Sequence, residues 1–174
     1  MRQDNMVMIL LSAIMLFASG CTSEQGIDKK KFAELDRTEQ ELKTFLISDK
    51  PCDVPDALLQ RFASGIAAVK DKAASKAERD LITAYANLLA TYRDGMLLCQ
   101  FRTHLTVFPF VPKGRIYVSQ ELDPLVERYG LSTERHVYKP TGQYWRSIDA
   151  DSITVIRENA EAQTRNIENT LKYN

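Results

Sequence analysis

Few residues of this 174-residue chain have the type and spacing to do chemistry. Its two histidines, His104 and His136, are too few for a histidine-built metal site. No G-x-S-x-G, H-E-x-x-H, P-loop or C-x-x-C pattern occurs. Three groups remain. Arg93, Asp94, Arg102 and His104 are a polar set that could bind a small ligand or move protons if they lined a cleft. His136, Tyr138, Tyr144, Trp145 and Arg146 are an aromatic set, and such rings stack on sugar faces or anchor protein interfaces. Phe108 and Phe110 would form an apolar patch in need of a partner if both were exposed. Each group also has a plain structural reading. The rings pack onto neighbouring helices, with Trp145 as a core residue, and the phenylalanines plug the end of a bundle. Asp149 and Asp151 read as helix caps rather than as a metal pair. Nothing in the pattern calls for a cofactor.

The elements that must position these groups follow from apolar periodicity. A first helix is expected over roughly 29–48, with Asp28 as its cap and Phe32, Leu35, Leu42, Phe45 and Leu46 as its stripe. Two prolines in 48–55 break it. A second helix follows over roughly 54–73, capped by Asp53, with Pro55 in its first turn. Its stripe is Leu59, Phe62, Ile66, Val69 and Ala73. Gly65 either costs it about 1 kcal/mol or lets another backbone approach. Ser75 and Glu78 form a capping box that opens a third helix to about residue 104. Leu81, Tyr85, Leu88, Tyr92, Gly95 and Cys99 alternate steps of four and three along it. Residues 106–118 carry prolines and a glycine and are not helix, with a short strand expected at 115–118. Asp123 as cap and Pro124 at the first helical position start a short helix that Gly130 ends. Residues 134–148 read as a hairpin around Pro140, Thr141 and Gly142. A last helix starts at Asp149 or Asp151 and runs to about Lys172.

The N-terminus carries a different kind of signal. Arg2 precedes twelve uncharged residues, Met6 to Phe17, a run too short for a membrane span of about 20 residues and fit for a signal-peptide core. Phe17-Ala18-Ser19-Gly20-Cys21 then resembles the lipobox of bacterial lipoproteins, with Ala18 where the family most often has Leu. The resemblance covers the export signal only. It implies cleavage before Cys21 and a diacylglycerol on that thiol. Each buried acyl CH₂ contributes about 0.8 kcal/mol to anchoring. In that family Asp after the cysteine favours the inner membrane, so Thr22 resembles the outer-membrane pattern, facing the periplasm.

With Cys21 taken by lipid, Cys52 and Cys99 remain in an oxidising compartment. Cys52 lies 23 residues before Ser75 and Cys99 lies 24 after it, so an antiparallel hairpin of helices sets them side by side. The expectation is a disulfide, with two buried thiols as the alternative.

Removal of residues 1–20 leaves 22 basic and 22 acidic residues, a balance that argues against a nucleic-acid partner. The combined expectation is a mainly α chain. A signal peptide (1–20) and a tether (21–27) precede one helical domain (28–174). That domain is a four-helix bundle with a non-helical or small β insert, residues 106–148, between the third and last long helices. The chain would be lipid-anchored and non-enzymatic, and would present the insert to an envelope protein or to peptidoglycan. The rival reading is a small-ligand binder or enzyme, with its site at Arg93, Asp94, Arg102 and His104.

Overall fold

Four apolar stripes separate cleanly into helices that can only bury themselves against one another. The computed structural model describes residues 26–47, 52–103 and 111–173, so Cys21, His104, Phe108 and Phe110 lie outside the described residues. The chain is mainly helical, with a small antiparallel sheet of three strands. The helices are α1 (Lys29–Ile47), α2 (Asp56–Lys70), α3 (Lys76–Thr103), α4 (Asp123–Tyr129) and α5 (Ile153–Tyr173). The strands are β1 (Arg115–Tyr117), β2 (Thr133–Tyr138) and β3 (Gln143–Asp149), in the order β1-β3-β2. α3 packs on α2 and α5, and α1 packs on α2 and α5.

Two apolar cores result. The first joins α1, α2, most of α3 and the second half of α5, around Phe32, Leu42, Phe62, Tyr85, Leu88 and Ile167. Its rings interlock: Phe62 meets Tyr85 edge-on at 5.9 Å. Gly65 admits a side chain from α1, because a Cβ there would stand 2.9 Å from Leu35 Cδ2. The second core joins Leu98 near the end of α3 to Ile116, Leu122, Leu125, Ile148 and Ile156. Cys52 and Cys99 are bonded, with their Cα atoms 5.4 Å apart, and tie the start of the α2 segment to the far half of α3.

Caps account for most of the boundaries. Ser75 Oγ accepts from Glu78 N at 3.1 Å, as the capping box requires. The Glu78 carboxylate then reaches further, accepting from Ala74 N at 2.7 Å, Lys31 Nζ at 2.9 Å and Asp28 N at 3.2 Å. Burial alone would raise its pKa. These donors, with Ser75 N, outweigh burial and lower it from 4.5 to about 2. Asp149 caps the 3₁₀ turn Ala150–Ser152 that leads into α5, accepting from Asp151 N at 2.8 Å. Gly130 closes α4 at φ 59°, with Leu131 N on Val126 O at 3.0 Å.

Two expected caps are corrected. Pro55, not Asp53, is the N-cap of α2, because its extended ψ of 133° already turns its carbonyl onto Leu58 N. It therefore stands before the first turn rather than in it. Leu122 is the N-cap of α4, and Asp123 is drawn away to pair with Arg146.

Candidate functional site

The described part of the insert, residues 111–148, is a folded unit. β2 and β3 are joined through residues 139–142, where Tyr138 O accepts from Gly142 N at 2.8 Å. β1 closes on the other side of β3, pairing Ile116 with Ile148. Side chains alternate across a strand, so the register decides which candidates meet.

One face of the sheet carries Ile116 and Ile148, both fully buried in the second core. Further along the hairpin the same face leaves the core. There Arg146 pairs with Asp123, Val137 stands opposite Tyr144, and the Arg135 guanidinium lies 3.7 Å above the Tyr144 ring. Val137 is 50% exposed and Tyr144 63%, which makes this pair the apolar surface of the hairpin tip.

The opposite face carries a row of rings, one from each strand. His136 stacks on Trp145 at 4.1 Å, and Tyr117 lies 5.9 Å from Trp145 on the other side. Tyr138 shares this face by alternation. Beside the rings, Arg115 Nε donates to Ser147 Oγ at 3.0 Å and its guanidinium pairs with Glu134 at 3.1 Å. His136 Nε2 lies 2.8 Å from Ser147 Oγ. A serine beside a histidine has the composition of a nucleophile and its base. Ser147 is fully buried and its oxygen is already held by Arg115, so this pair fastens strands and is closed to a substrate.

The five aromatic-set residues are thus divided. His136, Tyr138 and Trp145 share one face, and Tyr144 and Arg146 share the other. Trp145 is half-buried on the sheet face away from the second core rather than within it, which corrects its reading as core. Tyr117 was not singled out from sequence. Its alternation with Ile116 in the expected strand 115–118 was the available signal.

The described members of the polar set, Arg93, Asp94 and Arg102, do not converge. Arg93 and Arg102 are exposed. Asp94 turns to α4, where it pairs with Arg128 and accepts from Tyr129 Oη at 2.9 Å. Burial, offset in part by Thr91 and reinforced by Asp94, raises the Tyr129 pKa and keeps that phenol a donor.

A groove of about 550 Å³ opens beside this pair, between α3 and α5. Its polar lining is Asn87, Thr91, Asn159, Gln163 and Asn166, with Arg128 and Tyr129 at one end. Sequence reading passed over it, although residues 159, 163 and 166 form a helical stripe.

No protein-family model, no curated protein and no solved structure matches the chain.

Proposed function

We propose that this chain is an exported lipoprotein, cleaved before Cys21 and anchored by lipid in the outer membrane facing the periplasm. It acts there as a non-enzymatic interaction module for an envelope protein or for peptidoglycan. In this reading residues 28–174 form one domain, a four-helix bundle of α1, α2, α3 and α5, and the sheet end is its business end.

One observation carries the reading. The first described residues are tied to one end of α3 and the sheet packs on the other. Asp28 and Lys31 bond to Glu78, whereas Leu98 enters the core under the sheet. Leu98 lies 20 residues after Glu78 on one helix, a span of about 30 Å at about 1.5 Å per residue. A lipid on Cys21 would therefore hold the helical end near the bilayer and raise the hairpin away from it. The Val137–Tyr144 surface stands at that raised end, on paired strands that hold it in shape. Among the described residues no helix is long and apolar enough to cross a membrane. The Cys52–Cys99 bond accords with an oxidising compartment.

The test is photocrosslinking in intact cells of the native host, with a photoreactive residue at position 144 and, as control, at exposed position 158 of α5. The expected result is a defined adduct from 144 alone, lost when Cys21→Ala releases the protein from the membrane fraction. Recovery of only free protein, in cells where an established envelope complex does crosslink, refutes the interaction reading.

A further inference from the structure

The amide-lined groove between α3 and α5 lies on the flank of the molecule, apart from the hairpin. Three of the four asparagines in described helices, Asn87, Asn159 and Asn166, line it. Asparagine is among the weaker helix formers, so each such position costs helix stability relative to Ala. The groove gathers this cost in one place. Ala84 and Ala90 keep the walls low between the polar side chains.

Gln163 lies at the centre of the arrangement. Its Nε2 donates to Thr91 Oγ1 at 2.9 Å and to Asn159 Oδ1 at 2.8 Å. Thr91 spends its own proton on Asn87 O at 3.1 Å, so its oxygen is an acceptor. Both Gln163 N–H groups are thus used in this orientation of the amide. Its Oε1 is shielded and has no hydrogen-bond partner among the described residues. A shielded acceptor without a donor is costly, and a small rotation of the Gln163 amide towards the groove would let a ligand N–H or O–H relieve it.

Charge narrows the ligand class. Among the described residues Arg128 is the only charged one of the lining, and Asp94 neutralises it. An anionic ligand would find no free cation there. Shape narrows it again. A bound strand needs a sheet edge and a bound amphipathic helix needs an apolar trough, whereas this groove is two helix flanks with a polar lining. Several amides, a hydroxyl and one tyrosine ring suit a ligand rich in both donors and acceptors along its whole length.

We infer that this groove binds a neutral oligosaccharide bearing acetamido groups, held by Asn87, Asn159, Gln163 and Asn166 with Tyr129 at its end. The inference does not rest on the lipid anchor or on the hairpin surface. The test is calorimetric titration of the full chain, in micelles of a sugar-free detergent. The probes are the tetramer of β-1,4-linked N-acetylglucosamine, maltotetraose and acetyl-tetraalanine amide. The N-acetylglucosamine tetramer is expected to bind saturably, and more tightly than maltotetraose. The double variant Asn87→Ala/Asn166→Ala should weaken that binding by about tenfold or more, the scale of one or two lost hydrogen bonds. Its helices should stay intact, since Ala is the better helix former. Tyr144→Ala should bind as the native chain does. Three results would overturn the inference: no saturable heat with either sugar, sugar binding unchanged in the double variant, or saturation by the peptide probe alone.

Discussion

The two cores share α3 and α5, yet they are held in different ways. The helical core is large, ring-rich and closed. It draws on four long helices and leaves only small side-chain gaps, as at Gly65. The sheet core is smaller and adds short elements, none of which could stand alone, to the end of α3 and the start of α5. Its strands are secured at the rim by Arg115 with Glu134 and by Arg146 with Asp123. Exposed pairs of this kind contribute about 0–1 kcal/mol each. The difference teaches where variation is cheap. The helical end must keep its volume, whereas the hairpin beyond Ile148 can change its exposed residues with little effect on the fold.

The largest test of this contrast is a pair of truncations. Phe62→Ala empties a fully buried site in the helical core and should cost about 3–5 kcal/mol. Ile148→Ala should cost about 2–4 kcal/mol. Hydrogen exchange separates them: Phe62→Ala should raise exchange in α1, α2 and α3 together, and Ile148→Ala chiefly in β1, β2 and β3. Equal spreading from both sites would mean a single cooperative core.

Removing the staple comes next. Cys52→Ala/Cys99→Ala opens a loop with a sequence separation of 47. The expected loss is about 2–4 kcal/mol in denaturant unfolding, on a chain-entropy account. A midpoint unchanged from the oxidised native chain would show that the helical core needs no staple.

Glu78 supplies a pH-dependent term of about 3 kcal/mol, from the distance between its ordinary pKa of 4.5 and its folded value of about 2. Its folded pKa is lowered. The stability it gives is therefore present above pH 4.5 and lost as pH falls towards 2. Glu78→Gln should be less stable than the native chain at pH 7, and the gap should close over that window. A gap independent of pH would assign the loss to shape rather than charge.

Glu39 is the smallest and opposite case. It is 1% exposed, and burial first, then its acidic neighbours Glu168 and Asp36, raise its pKa against the Thr164 hydrogen bond and Lys43. The folded chain prefers it protonated, so it favours folding at low pH and costs stability as pH rises through its folded pKa. Glu39→Gln should raise the melting temperature at pH 7, and the gain should vanish below pH 4.5. A destabilised variant at pH 7 would show that the carboxylate is better satisfied than its surroundings indicate.

Much of this was legible in the sequence because it is local or periodic. The α3 stripe from Leu81 to Cys99 repeats cleanly, and the residue counts either side of Ser75 set Cys52 beside Cys99. The hairpin showed itself through Pro140-Thr141-Gly142. What escaped depends on distant partners. Glu39 fills a gap in the α1 stripe because Thr164, 125 residues away, donates to it at 2.8 Å. The split of the aromatic set depends on the phase of β3, which Ile148 sets by entering a core that α3 and α4 complete. The groove was hidden because its two stripes, on α3 and α5, mean little until the helices are adjacent.

The Glu78 knot has a mechanical consequence. If the chain is tethered at Cys21, tension enters the fold at Ile27 and Asp28, the first buried and the second bonded to Glu78. The same carboxylate grips Lys31 on α1 and the amide of Ala74 before α3. Load is therefore shared at once between the first turn of α1 and the turn ahead of α3, and α1 cannot be peeled away turn by turn. Protonation of Glu78 would unclip this shackle. The rupture force of the tethered domain should fall in acid while its sheet end stays intact.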